Sequence, residues 1–120
     1  MLFVVGTMQH IEISSRDVRR LLRKLRSPSA LERDAIAAKI RQALRRGSAH
    51  DAVLELVDDV LRHAPPIYRR ILTRVDIEGA PASEVAAELD LSYRTLHRYR
   101  STVVAAVADL LQRRLGARAP

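Results

Sequence analysis

Cysteine is absent from the 120 residues. That excludes disulfide cross-links, thiolate chemistry and zinc sites built on sulfur, and it is compatible with a reducing cytoplasm. Aromatic residues are scarce at 3%, tryptophan is missing, and the apolar residues are mostly Ala, Leu, Val and Ile. Such a palette suits packed helices better than a β-sandwich or barrel, so the expected fold is all-α. No long apolar run occurs. The opening MLFVVG has neither a basic stretch before it nor a cleavage pattern after it, so no signal peptide and no membrane span are expected. The four histidines, His10, His50, His63 and His97, are dispersed without an i, i+4 pair, which speaks against a metal site. There is also no glycine-rich phosphate loop and no Ser, His and acid arrangement beyond that of any helical protein. Neither an enzyme nor a cofactor is expected.

What is present is a core and a charge. Hydrophobic residues make up 48% of the chain, enough for one modest core in one domain. The net charge is +7 and the pI near 10.9. In a soluble domain that excess favours polyanions through counterion release from phosphates, although an arginine-rich genome yields basic proteins too.

The pattern along the chain divides it into a leader (1–13), an N-terminal helical support or docking region (14–64) and a helix-turn-helix region (65–116). Met1 and Met8 are both acceptable starts, because helical patterning begins only after Ile13. Ser14 or Ser15 caps a helix over about 16–26 whose Val18, Leu21, Leu22 and Leu25 share one face. The rest of that helix is basic: Arg16, Arg19, Arg20, Arg23, Lys24 and Arg26 face the single acid Asp17. Such a run tracks phosphates or forms the solvated face of a structural helix, and the spacing fits both. Ser27-Pro28-Ser29 breaks the chain and recaps one further helix with a stripe of Leu31, Ile36, Ile40 and Leu44, ended by Gly47. Ser48 or His50 starts a third helix with Val53, Leu56, Val57, Val60 and Leu61 on one face. Its Asp51, Glu55, Asp58 and Asp59 are expected to face away from nucleic acid and to pair with arginines of the first helix or of a partner. Pro65-Pro66 sets a boundary, with Pro66 as the first residue of a helix carrying Ile67, Ile71, Leu72 and Val75. Gly79-Ala80-Pro81 ends it, and residues 116–120 read as a frayed tail.

The stretch 81–102, PASEVAAELDLSYRTLHRYRST, places apolar, small and polar residues in the order a bihelical DNA-reading unit needs. Val85 and Leu89 lie four apart on a first helix, Ala86 leaves room for a second helix to pass close, Ser92 caps that second helix and Leu96 returns to the core. Residues 84–100, EVAAELDLSYRTLHRYR, resemble the helix-turn-helix of sigma-factor region four, shared with many response-regulator output domains. Tyr68-Arg69-Arg70-Ile71-Leu72, with Val75, Ile77 and Glu78-Gly79, resembles the helix and "EG" turn that precede it, so the likeness covers about 65–102. Residues 14–46 bear a weaker likeness to arginine-rich leaders of some bacterial regulators. The family has Gly where this chain has Asp90; the left-handed backbone required there is one that Asp tolerates.

The resemblance implies a small multi-helix bundle with a C-terminal helix-turn-helix and a long last helix, about 93–115. At 100° per residue, Arg94, His97, Arg98 and Ser101 leave one side of that helix while Leu96, Tyr99, Val103, Val107 and Leu110 leave the other. Long polar side chains on the free side of an anchored helix are what major-groove readout requires, and the N-terminal positions do most of the reading. The expected DNA-binding residues are therefore Ser92, Tyr93, Arg94, Thr95, His97, Arg98 and Ser101, with Ser83 at the start of the first helix meeting a phosphate. Function is expected to be sequence-specific binding of double-stranded DNA by a bacterial transcriptional regulator, in the cytoplasm and on the nucleoid. The alternative is a protein-interaction module, or a detached sigma-like or adaptor domain, acting on RNA polymerase or another transcription component. Val107, Leu110 and Leu111 extend beyond what two short helices can cover, so either the N-terminal helices fold over them or a second copy forms a homodimer through the last helix; the dimer is the favoured expectation.

Overall fold

Ser14 starts the first helix, as its place before an amphipathic run predicts. Its hydroxyl accepts the Asp17 N–H at 3.1 Å while the Asp17 carboxylate accepts the Ser14 N–H at 2.9 Å, a reciprocal cap. The computed structural model describes residues 12–118, and every regular element in them is helical. Helix α1 (Ser15–Lys24) buries Val18, Leu21 and Leu22. Leu25, just past it, is buried as well.

The next stretch departs from expectation, because two helices stand where one was expected. These are α2 (Pro28–Glu32) and α3 (Ala35–Leu44). The break comes from Asp34, whose carboxylate accepts the N–H groups of Ile36 and Ala37 at 2.9 and 3.1 Å and thereby caps a new helix. Nor does Gly47 end α3. Arg45 does, in a left-handed conformation at φ 55°. Helix α4 (Ala49–Arg62) is capped by the Ser48 hydroxyl and buries Val53, Leu56, Val57, Val60 and Leu61 as expected. Three of its acids are held within the chain but not by α1: Arg46 pairs with Glu55, Arg62 with Asp58, and Arg114 with Asp59, while Asp51 stays exposed beside His50.

Helix α5 (Pro66–Ile71) begins on its proline and widens into a π-helical segment, Leu72–Ile77. The wide turn re-phases the side chains, sending Ile71 and Leu72 to different cores and turning Asp76 inward. Helices α6 (Ala82–Glu88) and α7 (Tyr93–Arg118) complete the chain. At 1.5 Å per residue, 26 residues make α7 about 39 Å long, and it serves both cores. Ile71, Val85, Ala86 and Leu96 form the smaller core. The larger takes α1 to α4, Leu72 and, from α7, Val103, Val104, Val107, Ala108, Leu111 and Leu115.

This packing corrects three expectations. The N-terminal helices cover Val107 and Leu111, while Leu110 turns out of the stripe and stays 36% exposed. Ile13 belongs to the core rather than to a leader, and its N–H donates to Gln112 Oε1 at 2.7 Å. The last helix continues through Gly116 to Arg118 instead of fraying after Leu115. The rest of the expected leader, with both candidate starts, and residues 119–120 lie outside the described residues.

Candidate nucleic-acid interface

The turn between α6 and α7 is built from backbone hydrogen bonds. Asp90 N–H donates to Ala87 O at 3.2 Å and Leu91 N–H to Ala86 O at 2.8 Å, closing the end of α6 in a Schellman arrangement. That arrangement needs a left-handed residue between them, and Asp90 takes it at φ 56°. Asp90 thus adopts the left-handed conformation expected at this turn position.

Ser92 then caps α7. Its hydroxyl accepts the Thr95 N–H at 3.0 Å and donates to Thr95 Oγ1 at 2.9 Å. Both hydroxyls are engaged in holding the start of the helix, which makes Ser92 and Thr95 positioning groups first. Leu96 is fully buried against Val85 and Ala86, and Tyr99 packs edge-on to Tyr68 with ring centres 5.6 Å apart. With that side anchored, the other is free. Arg94, Arg98 and Ser101 are exposed and His97 is partly so. Tyr93 is 57% exposed, and its ring lies 4.2 Å from that of His97. Neither Arg94 nor Arg98 has an ion-pair partner among the described residues; Arg98 reaches over the Tyr99 ring at 6.0 Å from its centre. Five of the eight expected residues therefore share one open surface. Ser83 is exposed too, on the first turn of α6.

Arg100 differs from its neighbours. Its guanidinium donates from Nε and Nη2 to the buried Asp76 carboxylate, at 3.0 and 2.5 Å, and this bond raises its already high pKa further. It ties α7 to the π-helical segment. Arg74 performs the matching task for α6, donating to Glu88 at 2.5 and 3.1 Å and to Glu78 at 2.8 Å, and the Arg74 guanidinium holds the Glu88 carboxyl below its ordinary range.

The arginine-rich α1 separates into two rows. Arg20 and Lys24 turn to Asp34, at 2.7 and 3.1 Å, and Arg20 also meets Asp17. Burial alone would raise the Asp34 carboxyl, but hydrogen bonds from Arg20, the Ala37 N–H and Lys24 outweigh it and hold the group far below the usual carboxylate range. Arg19 and Arg23, with Arg26 just past the end of α1, form the other row and line a cleft with Val75, Asp76, Gly79 and Arg100. The sequence shows the total charge of this run, but its division depends on where Asp34 and Asp76 lie in the fold. Among the described residues no cluster of His, Asp or Glu is arranged to hold a metal, and no helix is long and apolar enough to cross a membrane. Comparison with family models, with curated proteins and with solved structures returns no match.

Proposed function

We propose that this chain binds double-stranded DNA sequence-specifically, inserting the N-terminal turns of α7 into the major groove, and acts as a bacterial transcriptional regulator working on the nucleoid in the cytoplasm. The observation that carries the reading is the pair of exposed arginines, Arg94 and Arg98, without acidic partners among the described residues, on a helix whose opposite side is fixed by Leu96 and whose start is fixed by the Asp90 turn and the Ser92 cap. Each arginine presents two parallel donors that match the guanine edge, with Tyr93, His97 and Ser101 beside them for single contacts. No acid occurs on α7 before Asp109, so nothing along the reading turns repels phosphates.

The rival reading, a module docking on RNA polymerase or another transcription component, drew on the acidity of α4. Its Glu55, Asp58 and Asp59 are paired within the chain, which leaves Asp51 as the open acid of that surface among the described residues. A homodimer through α7 would set two reading helices about one DNA turn apart. With Val107 and Leu111 covered, α7 offers a second copy Leu110 and the apolar groove beside it among the described residues, so we take the single chain as the reading unit.

Selection of bound duplexes from a random library tests the proposal. One enriched motif, bound with an affinity that falls linearly on a log scale as salt rises, is the expected result. Recovery of no motif, with no salt-dependent binding, would overturn it.

A further inference from the structure

Where α1 crosses the π-helical segment and α7, a cleft of about 260 Å³ opens between Arg19, Arg23 and Arg26 on one side and Val75, Asp76, Gly79 and Arg100 on the other. Four arginines and one carboxylate line it. That carboxylate, Asp76, is already taken by Arg100. Arg26 uses one nitrogen, donating from Nη1 to Glu78 O at 3.1 Å, and its guanidinium lies so close over Gly79 that a Cβ there would come within 2.7 Å of it. Arg19 Nε is buried and has no acceptor among the described residues. Arg23 is exposed and has no ion pair among them. A buried donor without an acceptor is destabilising, and like charges gathered without a free counter-charge among the described residues add to that. A tetrahedral oxyanion would supply the missing counter-charge, because guanidinium donors match its oxygen pairs.

We propose that this cleft is a binding site for a phosphate group, with Arg19 and Arg23 as its primary donors and Arg26 at its edge. The group can come from a free phosphorylated small molecule or from the backbone of a duplex lying on α7. Because the cleft joins the N-terminal helices to the bihelical unit, an occupant would hold the two together. The site itself stands apart from the duplex reading, and only its backbone source rests on that reading.

The test has two arms, each with Arg19→Gln, Arg23→Gln and, as a control far along α7, Arg113→Gln. In the first, the melting temperature of the full chain is followed against inorganic phosphate and pyrophosphate at ionic strength matched with chloride. A saturating rise that both cleft variants lose and Arg113→Gln keeps is the result expected for a free phosphate. In the second, duplex affinity is measured against salt. A slope lowered by about 1 in each cleft variant, equally for all sequences, assigns the site to a backbone phosphate. Circular dichroism and the charge-retaining Arg19→Lys separate loss of the site from loss of the fold. Protection that survives both glutamine variants, or no change in either arm, would overturn the proposal; the phosphate arm uses no DNA and so is independent of any failure of duplex binding.

Discussion

At Asp90 a non-glycine side chain sits at φ 56°, where the clash of Cβ with the following carbonyl costs about 1–2 kcal/mol for most residues. Asp90→Gly is therefore expected to leave the melting temperature unchanged or slightly raised. Asp90→Val should destabilise the chain by about 1–2 kcal/mol, and equal melting of the two variants would show that the turn tolerates any residue. Asp34 is the residue on which the N-terminal helices most depend, since one nearly buried carboxylate caps α3 and receives both Arg20 and Lys24. Its carboxyl lies below the ordinary value in the folded chain, so its contribution is present above about pH 5 and is lost as pH falls through about 4 and lower. Asp34→Asn should lower unfolding free energy by about 1–3 kcal/mol at pH 7 and flatten the loss of stability between pH 5 and pH 2. Urea titrations at several pH values would reveal whether wild type and variant instead fall in parallel. If Arg94 and Arg98 read base edges as proposed, Arg94→Ala and Arg98→Ala should each weaken specific duplex binding by about 1–3 kcal/mol with melting unchanged. Wild-type affinity in either variant would remove that arginine from the reading surface.

Among the elements, those whose ends are marked by a local signal were legible in advance. Pro66 and Ser92 start their helices where the sequence placed them, Ser14 rather than Ser15 and Ser48 rather than His50 supply the other two caps, and the Asp90 turn falls between α6 and α7 as expected. The break between α2 and α3 was not legible. Asp34 inside an apolar stripe reads as a solvated position, and its value as a cap depends on Arg20 and Lys24 arriving from α1. The π-helical segment was hidden for a similar reason: Leu72–Ile77 carries no breaker, and the wide turn is stabilised by Asp76 meeting Arg100, twenty-four residues further on. Total charge on α1 was plain, but its partition into a neutralised row and an unpaired row needed the positions of Asp34 and Asp76. Gly79, at φ 77° under the Arg26 guanidinium, marks the end of this segment. Gly79→Ala is expected to cost at least about 1–2 kcal/mol from the backbone alone, and an unchanged melting temperature would mean that Arg26 moves aside and the turn relaxes.

For the whole molecule, the decisive fact is that one helix belongs to two cores. Its first turns complete the bihelical unit through Leu96, and its later turns fill the N-terminal bundle through Val104, Val107, Leu111 and Leu115. The candidate interface was legible because periodicity alone separates Arg94 and Arg98 from Leu96. The destination of the later apolar residues was not, since the same stripe serves an internal bundle or a second copy equally well. The two arrangements differ in what a charge does at neighbouring positions. Val107→Asp buries a carboxylate among α4 and α7 side chains and is expected to unfold the chain or lower its melting temperature sharply, whether or not it self-associates. Leu110→Asp places its charge at the open edge of the groove formed with Val60, His63, Ala64 and Tyr68, and should leave folding intact. Sedimentation equilibrium is expected to give the mass of a single chain up to high micromolar concentration for wild type and Leu110→Asp alike. A wild-type mass that doubles with concentration, and that Leu110→Asp returns to a single chain without loss of helicity, would overturn the single-chain reading unit and assign this groove to a two-fold pair on adjoining half-sites.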